Sequence, residues 1–157
     1  MGISAIKYSD LKRDAIQNYV FSYDEMLSTQ GNTSVYLLFA YVRICSILAK
    51  AKNGSGKNLE KIKQQKTGFT ITNPSEKALA LTILRLTEQI ELTTSDLKLN
   101  RLCEQLYETS KVISNFYGIS KVLGSEEEDS RVLLLEAVRK IMNLNFELLG
   151  MKTIDKI

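Results

Sequence analysis

The sequence predicts an all-α fold, a bundle of four or five main helices joined by short connections. Three observations support this fold class. Apolar residues recur at spacings of three and four over several long stretches, only residues 67–72 alternate with a period of two, and the 157 residues include one proline and 8 glycines. With 44% apolar and 25% charged side chains, the composition is that of one soluble domain with a substantial core.

The first long helix is predicted over residues 33–52. Asn32 and Thr33 follow a glycine turn, and either side chain can cap the helix N-terminus. One face of this helix is apolar at helical spacing, so we expect it to lie in the core. The residues of that face are Leu37, Ala40, Tyr41, Ile44, Ile47 and Leu48. The preceding residues 1–30 show no sustained helical stripe apart from one turn at 24–27.

Three more helices are predicted downstream. The first covers residues 74–90, because Asn73 can cap it and Glu76 can return a hydrogen bond to the cap. The second covers residues 96–116, and Gly118 is its expected stop.

The last predicted helix, over residues 131–149, is very apolar and is expected at the centre of the bundle. The acidic residues 126–129 precede it, where carboxylates complement the helix dipole. Consecutive carboxylates do not share a helix face, so this role is favoured over metal binding. Gly150 is expected to close the helix.

Composition excludes several functions. The sequence has no histidine, so it holds neither a Ser-His-Asp nor a Cys-His catalytic site, and no zinc site that uses histidine. Cys45 and Cys103 are isolated and are expected to be separate buried thiols of a reducing compartment. No apolar run approaches the roughly 20 residues of a membrane span, and no signal peptide is recognisable. We therefore expect a cytoplasmic protein without a membrane partner.

Positive charge is concentrated in residues 50–66. This segment has six lysines and one glutamate, whereas the net charge of the whole chain is only +3. Residues 57–66 are compatible with a short basic helix. The segment is either a solvated linker or a patch that contacts the phosphates of a nucleic acid. Gly56 and Lys57 match a nucleotide-binding phosphate loop only as a dipeptide, which is too little to predict one.

A second face of the 33–52 helix carries Tyr36, Phe39 and Arg43. At 100° per residue, these positions lie about 60° or less from one another and away from the core face. Two aromatic rings and an arginine can stack on unpaired bases. The alternative is that this face packs against another helix, with Arg43 paired to a carboxylate. Tyr117, beside the expected helix end, is either a further stacking residue or a core tyrosine with its hydroxyl at the rim.

Three segments in order resemble the C-terminal third of arginyl-tRNA synthetases. They are AIKYSDL at residues 5–11, YVFSYDEML at 19–27 and GNTSVYLLFAYVRI at 31–44. Downstream, EAVR at 136–139 stands where that family's anticodon-binding domain has its DALR string, and LLGM at 148–151 resembles the family's closing LLGI.

The resemblance implies a helical anticodon-binding domain of the DALR type over residues 31–157, preceded by the end of the catalytic-core connector over residues 1–30. The class I signatures HIGH and KMSKS are absent, so the chain is expected to have no catalytic residues and to bind no cofactor or metal. In the parent enzyme the resemblance implies arginine-tRNA ligase activity with ATP and magnesium.

By position, the resemblance assigns tRNA anticodon contacts to five residues: Tyr36, Phe39, Arg43, Tyr117 and Ile157. Phe39 replaces the family's usual tyrosine, so it can stack but cannot donate a hydrogen bond. Ile157 stands where the family usually ends in methionine. The expected partners are a tRNA with an arginine anticodon and the catalytic domain of the parent chain. The alternative function is a helical protein-interaction module whose partners are other synthetases.

Overall fold

The computed structural model describes residues 1–54 and 70–154. Within these ranges it contains six helices and no strand, which confirms the all-α fold class for the part described. The helices are α1 (Gly2–Leu11), α2 (Tyr23–Leu27), α3 (Ser34–Gly54), α4 (Pro74–Asp96), α5 (Asn100–Ile119) and α6 (Glu128–Leu148). The expected basic helix at 57–66 lies outside the described residues.

Helix α3 begins where the capping residues predict. The Thr33 hydroxyl accepts a hydrogen bond from the Tyr36 backbone N–H at 3.2 Å and donates one to the Ser28 carbonyl at 2.6 Å. This arrangement satisfies a backbone donor at the helix N-terminus and ties it to the preceding loop. The predicted core face is confirmed: Leu37, Ala40, Tyr41, Ile44 and Leu48 are buried, and Ile47 is partly buried.

The core lies between α3, α4, α5 and α6, with α5 packed closely against α4. Helix α6 contributes the expected large share of it. Its buried apolar residues are Val132, Leu134, Leu135, Val138, Met142 and Phe146. The Tyr41 and Phe146 rings meet edge to face at 6.0 Å between centroids, which joins α3 to α6.

Helix α1 is an element that hydropathy did not reveal. Its buried residues, Ser4, Ala5, Tyr8 and Ser9, have helical spacing, but three are polar and one is small. The Tyr8 hydroxyl lies 2.6 Å from the Asn32 side-chain oxygen, to which it donates, and 3.1 Å from the Cys103 carbonyl oxygen. Helix α1 therefore packs on the bundle through one aromatic anchor and its hydrogen bonds. The division at residue 31 between connector and domain stays a prediction.

Helix boundaries differ from expectation at the junction of α4 and α5. Helix α4 continues past residue 90 to Asp96, where Leu97 ends it in the left-handed conformation with φ 56°. Helix α5 then starts at Asn100. Gly118 does not stop α5, because its backbone stays helical and the helix ends one residue later with Ser120 donating to the Phe116 carbonyl. Gly150, at φ 66°, follows α6 as predicted.

Helix α3 also corrects the expectation about span-length apolar stretches. Ser34–Asn53 is long and apolar enough to cross a membrane by length and composition, although Arg43 and two lysines interrupt it. A search for uninterrupted apolar runs does not detect this helix, because the three cations divide it. Of its most apolar window, 56% is buried inside the bundle. Packing in the core accounts for this apolar character, since core helices of soluble proteins have the same composition.

The two cysteines are thiols and do not form a disulfide with each other, as predicted. Cys103 is buried as expected, whereas Cys45 is only partly buried. Burial raises the pKa of the Cys103 thiol to about 12, with smaller contributions from nearby charges. This thiol is therefore protonated at neutral pH and is a poor nucleophile.

A buried ion pair joins α4 to α6. The Glu76 carboxylate accepts from Arg131 Nε at 2.7 Å and from the Thr72 backbone N–H at 2.6 Å, and Glu76 is only 1% exposed. Arg131 also donates to the Lys121 carbonyl at 2.8 Å. Asn73 caps α4 as predicted, by accepting from the Glu76 backbone N–H. One carboxylate thus holds the start of α4 against the start of α6.

Burial alone would raise the pKa of Glu76, but hydrogen bonds from Thr72 and Arg131 outweigh it, so the pKa is lowered from 4.5. A lowered pKa means that folding favours the ionised carboxylate. The Glu76 carboxylate therefore stabilises the fold fully at a pH above its pKa in the unfolded state. This stabilisation is lost as the pH falls through the lower pKa of the folded state.

We predict that Glu76→Gln lowers the free energy of unfolding by about 3 kcal/mol at neutral pH, because it leaves the buried Arg131 cation with a weakened set of acceptors. The loss should shrink as the pH falls, since the unchanged protein then protonates the same carboxyl. Urea unfolding across an acid pH series measures both effects.

The matched control for this experiment is Glu91→Gln, which alters an exposed glutamate on the same helix. It should change stability by less than about 0.5 kcal/mol. Equal losses in the two variants, or a Glu76→Gln loss that does not depend on pH, would contradict the assignment.

Candidate nucleic-acid interface

An open groove of about 510 Å³ lies between α3 and α5. It brings together all four of the predicted site residues that the structure describes, because the second face of α3 lies opposite the C-terminal half of α5. Its lining residues are Thr29, Tyr36, Phe39, Ala40, Val42, Arg43, Ile113, Ser114 and Tyr117. Ile157, the fifth predicted residue, lies outside the described part of the chain.

Tyr36 is fixed in place by contacts across the groove. Its hydroxyl lies 3.2 Å from Ser114 Oγ, and its ring meets Tyr107 edge to face at 6.0 Å between centroids. The ring is partly buried. For this residue the alternative of helix packing holds in part, since the second face of α3 does contact α5. These contacts with Ser114 and Tyr107 fix the Tyr36 ring as one wall of the groove and leave the groove open.

Phe39 lies on the same face of α3 and is the aromatic side chain in the groove that is most open to solvent. It is 41% exposed, although phenylalanine is a residue type that proteins usually bury. Exposed aromatic rings bind flat, unpaired ligands such as nucleobases because every base has a π-face. Phe39 therefore offers a stacking surface that needs no rearrangement of the core.

Arg43 lies over the ring of Tyr117. The distance from the guanidinium carbon to the ring centroid is 4.8 Å, which is a cation–π contact between α3 and α5. The expected alternative, an ion pair between Arg43 and a carboxylate, is not found among residues 1–54 and 70–154. Arg43 is exposed, so its charge remains available to an anionic ligand.

Tyr117 is partly buried, and its hydroxyl has no hydrogen-bond partner within the described ranges. Burial raises the pKa of the hydroxyl, and the nearby Arg43 cation opposes this effect. The side chain is therefore neutral over the physiological range. Its ring lines the groove with the Arg43 guanidinium over one face, and its buried hydroxyl is not the rim hydroxyl expected of a core tyrosine.

Positive charge flanks these rings. Lys50 follows Arg43 by seven residues, about two turns of α3, and is exposed on the same side of the helix. Lys111 lies 4.8 Å from the centroid of the Tyr107 ring and pairs with Glu108. The groove thus combines apolar stacking surfaces with cations, the combination that binds single-stranded nucleic acid.

Some residues of the groove were not predicted from the sequence. Ser114 precedes Tyr117 by three residues on α5, so helical spacing from the predicted tyrosine could have identified it. Thr29 belongs to the loop before α3, and helical periodicity in the sequence cannot identify loop residues. Ala40 was predicted on the core face of α3, and the structure places both Ala40 and Ile113 in the core as well as in the groove lining.

The chain is a helical bundle in which α3 and α5 enclose a groove lined by aromatic rings and an arginine. A family model described as the DALR anticodon-binding domain matches residues 37–157. The chain belongs to this family. Along its whole length, the chain is similar in sequence and fold to the C-terminal region of arginyl-tRNA synthetases.

Relatives of known name support this assignment. The chloroplastic/mitochondrial arginine-tRNA ligase of Arabidopsis thaliana is 44% identical over the whole chain, which covers 24% of that protein, and the cytoplasmic arginine-tRNA ligase of the same plant is 42% identical, with 26% covered. The chain therefore spans about a quarter of the length of these relatives.

Solved structures share the fold. The arginyl-tRNA synthetase of Plasmodium falciparum matches 99% of this chain with a TM-score of 0.87 at 37% identity, over 27% of its own length. The synthetase of Thermus thermophilus matches 99% of this chain and 26% of its own, with a TM-score of 0.82 at 22% identity, a likeness that shows the fold alone.

We predict that two tyrosine-to-phenylalanine substitutions have different effects on the free energy of unfolding. Tyr8→Phe should lower the free energy of unfolding by about 1–2 kcal/mol, because Asn32 loses a hydrogen-bond donor. Tyr117→Phe should leave it unchanged or raise it, because the substitution removes a buried hydroxyl without a partner. Urea unfolding of both variants tests this, and an equal loss in the two would show that the Tyr117 hydroxyl has a partner.

Proposed function

We propose that the groove between α3 and α5 binds unstacked bases of a tRNA anticodon loop, and that the chain serves an arginyl-tRNA synthetase as its anticodon-binding region. The observation that carries this proposal is the grouping of Tyr36, Phe39 and Tyr117 with an arginine that pairs with no carboxylate in the described ranges. Membership of the DALR family supports the same conclusion.

The groove would make two kinds of contact with the RNA. Aromatic rings stack on any base, so Phe39 and the Tyr36 wall supply affinity for unpaired bases. Exposed cations such as Lys50 contact phosphates, which adds affinity that falls with salt. The lysines of residues 57–66 lie outside the described part, and we propose the same phosphate role for them from their charge alone.

We propose that the parent enzyme is an arginine-tRNA ligase that depends on ATP and magnesium. The relatives are named as arginine-tRNA ligases, and this chain covers about a quarter of their length. The proposed partners are a tRNA with an arginine anticodon and the catalytic domain of the parent. A cytoplasmic location is also proposed, in keeping with two cysteines that remain thiols.

The test is a titration of the chain with an arginine-accepting tRNA and with the same tRNA changed only at the central anticodon base, followed by a salt series. The proposal predicts tighter binding of the unaltered tRNA, and a logarithm of the binding constant that falls linearly with the logarithm of the salt concentration. Absence of any salt-dependent RNA binding would instead favour the protein-interaction module.

We predict that Phe39→Ala weakens binding of the anticodon stem-loop about 10-fold, the order expected for losing one base–aromatic stack. Stability should change by less than about 1 kcal/mol, because the ring is already 41% exposed. Fluorescence anisotropy with a labelled stem-loop measures the affinity, and thermal unfolding verifies the fold.

The control is Leu84→Ala, which removes a 70% exposed apolar side chain from α4, away from the groove. It should leave RNA affinity unchanged. Similar RNA affinities for Phe39→Ala and the unchanged protein would remove Phe39 from the site.

A further inference from the structure

The outer face of α4 carries three leucines that are open to solvent in the part of the chain that the structure describes. Leu81, Leu84 and Leu92 are 41%, 70% and 40% exposed. At 100° per residue, Leu84 and Leu92 lie about 60° and 20° from Leu81, so the three share one side of the helix. Single exposed leucines are ordinary on a protein surface, whereas several along one helix face indicate a contact surface.

Two opposite charges lie between these leucines. Arg85 and Glu88 are exposed, and they lie about 40° and 20° from Leu81, on either side of it. Neither side chain forms an ion pair within residues 1–54 and 70–154. The outer face of α4 therefore presents a cation and an anion, both accessible to a partner, beside apolar side chains.

The order of these residues along α4 is symmetric. Leu81 and Leu92 are equally distant from the midpoint between residues 86 and 87, and so are Arg85 and Glu88. If two identical helices pack antiparallel about a two-fold axis at this midpoint, Leu81 of one copy lies level with Leu92 of the other. Arg85 then lies level with Glu88 of the other copy. Each contact occurs twice, as in any interface that a two-fold axis generates, so the face complements itself in both shape and charge.

We propose that the outer face of α4 is a dimer interface, in which α4 packs antiparallel against α4 of a second copy of the chain. Burial of the leucines supplies most of the affinity. The two Arg85–Glu88 pairs set the direction and register, because exposed ion pairs add little affinity but like charges in their place repel strongly. One helix per copy makes a small interface, so the dimer is reversible and its fraction rises with protein concentration.

This dimer is separate from RNA binding. The groove is lined by residues of α3, α5 and the loop before α3, so none of its lining belongs to the proposed interface. We expect the dimer to present two open grooves, one on each chain. Variants that break the dimer should therefore bind the anticodon stem-loop as the unchanged protein does, and a failure of RNA binding would not affect the dimer.

Reversal of single charges is the decisive test, with sedimentation velocity over a series of protein concentrations as the measurement. Arg85→Glu and Glu88→Arg each place like charges opposite one another in both pairs. We expect each variant to weaken dimerisation more than about 10-fold. The variant with both substitutions has opposite charges in both pairs again, so we expect it to regain the dimer. An unrelated protein partner could not produce this recovery.

A mixture gives the same information without the double variant. Chains with Arg85→Glu and chains with Glu88→Arg complement each other, so together they should form a mixed dimer although neither dimerises alone. Leu92→Gln should weaken the dimer about 10-fold, because each dimer loses two apolar contacts. The control is Lys140→Glu at an exposed position of α6, which changes the net charge as Arg85→Glu does and should leave the dimer intact. Circular dichroism verifies the helical fold of every variant.

Three results would overturn the dimer. The unchanged chain could sediment as a single chain at every concentration, which would leave the leucines to a different partner. A dimer that survives both single reversals would pair through another surface. Loss of the dimer in the single variants without recovery in either the double variant or the mixture would exclude the antiparallel register.

Discussion

The rotation of α3 about its own axis is the constraint on which the rest of the structure depends. Leu37, Tyr41 and Ile44 are each no more than 1% exposed, and close packing around them permits one orientation of the helix. Because a helix repeats every 3.6 residues, burying that face turns Phe39 and Arg43 toward α5 and solvent. The core thus sets the geometry of the groove, and its residues Ala40 and Ile113 form part of the groove lining.

The same periodicity explains what could be predicted from the sequence. The core face of α3 and the grouping of Tyr36, Phe39 and Arg43 follow from residue spacing within one helix. Helix α1 could not be predicted this way, because its buried face is made of serine, alanine and one tyrosine, whose burial depends on hydrogen bonds to Asn32 and Cys103. Hydropathy carries no information about such partners.

Contacts between distant segments were equally beyond the sequence. Seventy-four residues separate Arg43 from Tyr117, and only the packing of α5 against α3 places one over the other. The resemblance to arginyl-tRNA synthetases assigned both residues to the anticodon site, but it did not indicate that one side chain lies over the other. The structure shows that the Arg43 guanidinium covers one face of the Tyr117 ring.

The most direct test of the central claim is to map the bound stem-loop on the chain by amide chemical shifts in NMR spectra. The account predicts that the largest changes occur on two surfaces that face each other, residues 36–43 of α3 and residues 113–118 of α5, with little change on the outer face of α4. Changes confined to α4, or to the outward face of α1, would show that RNA binds elsewhere and would contradict the assignment of the groove.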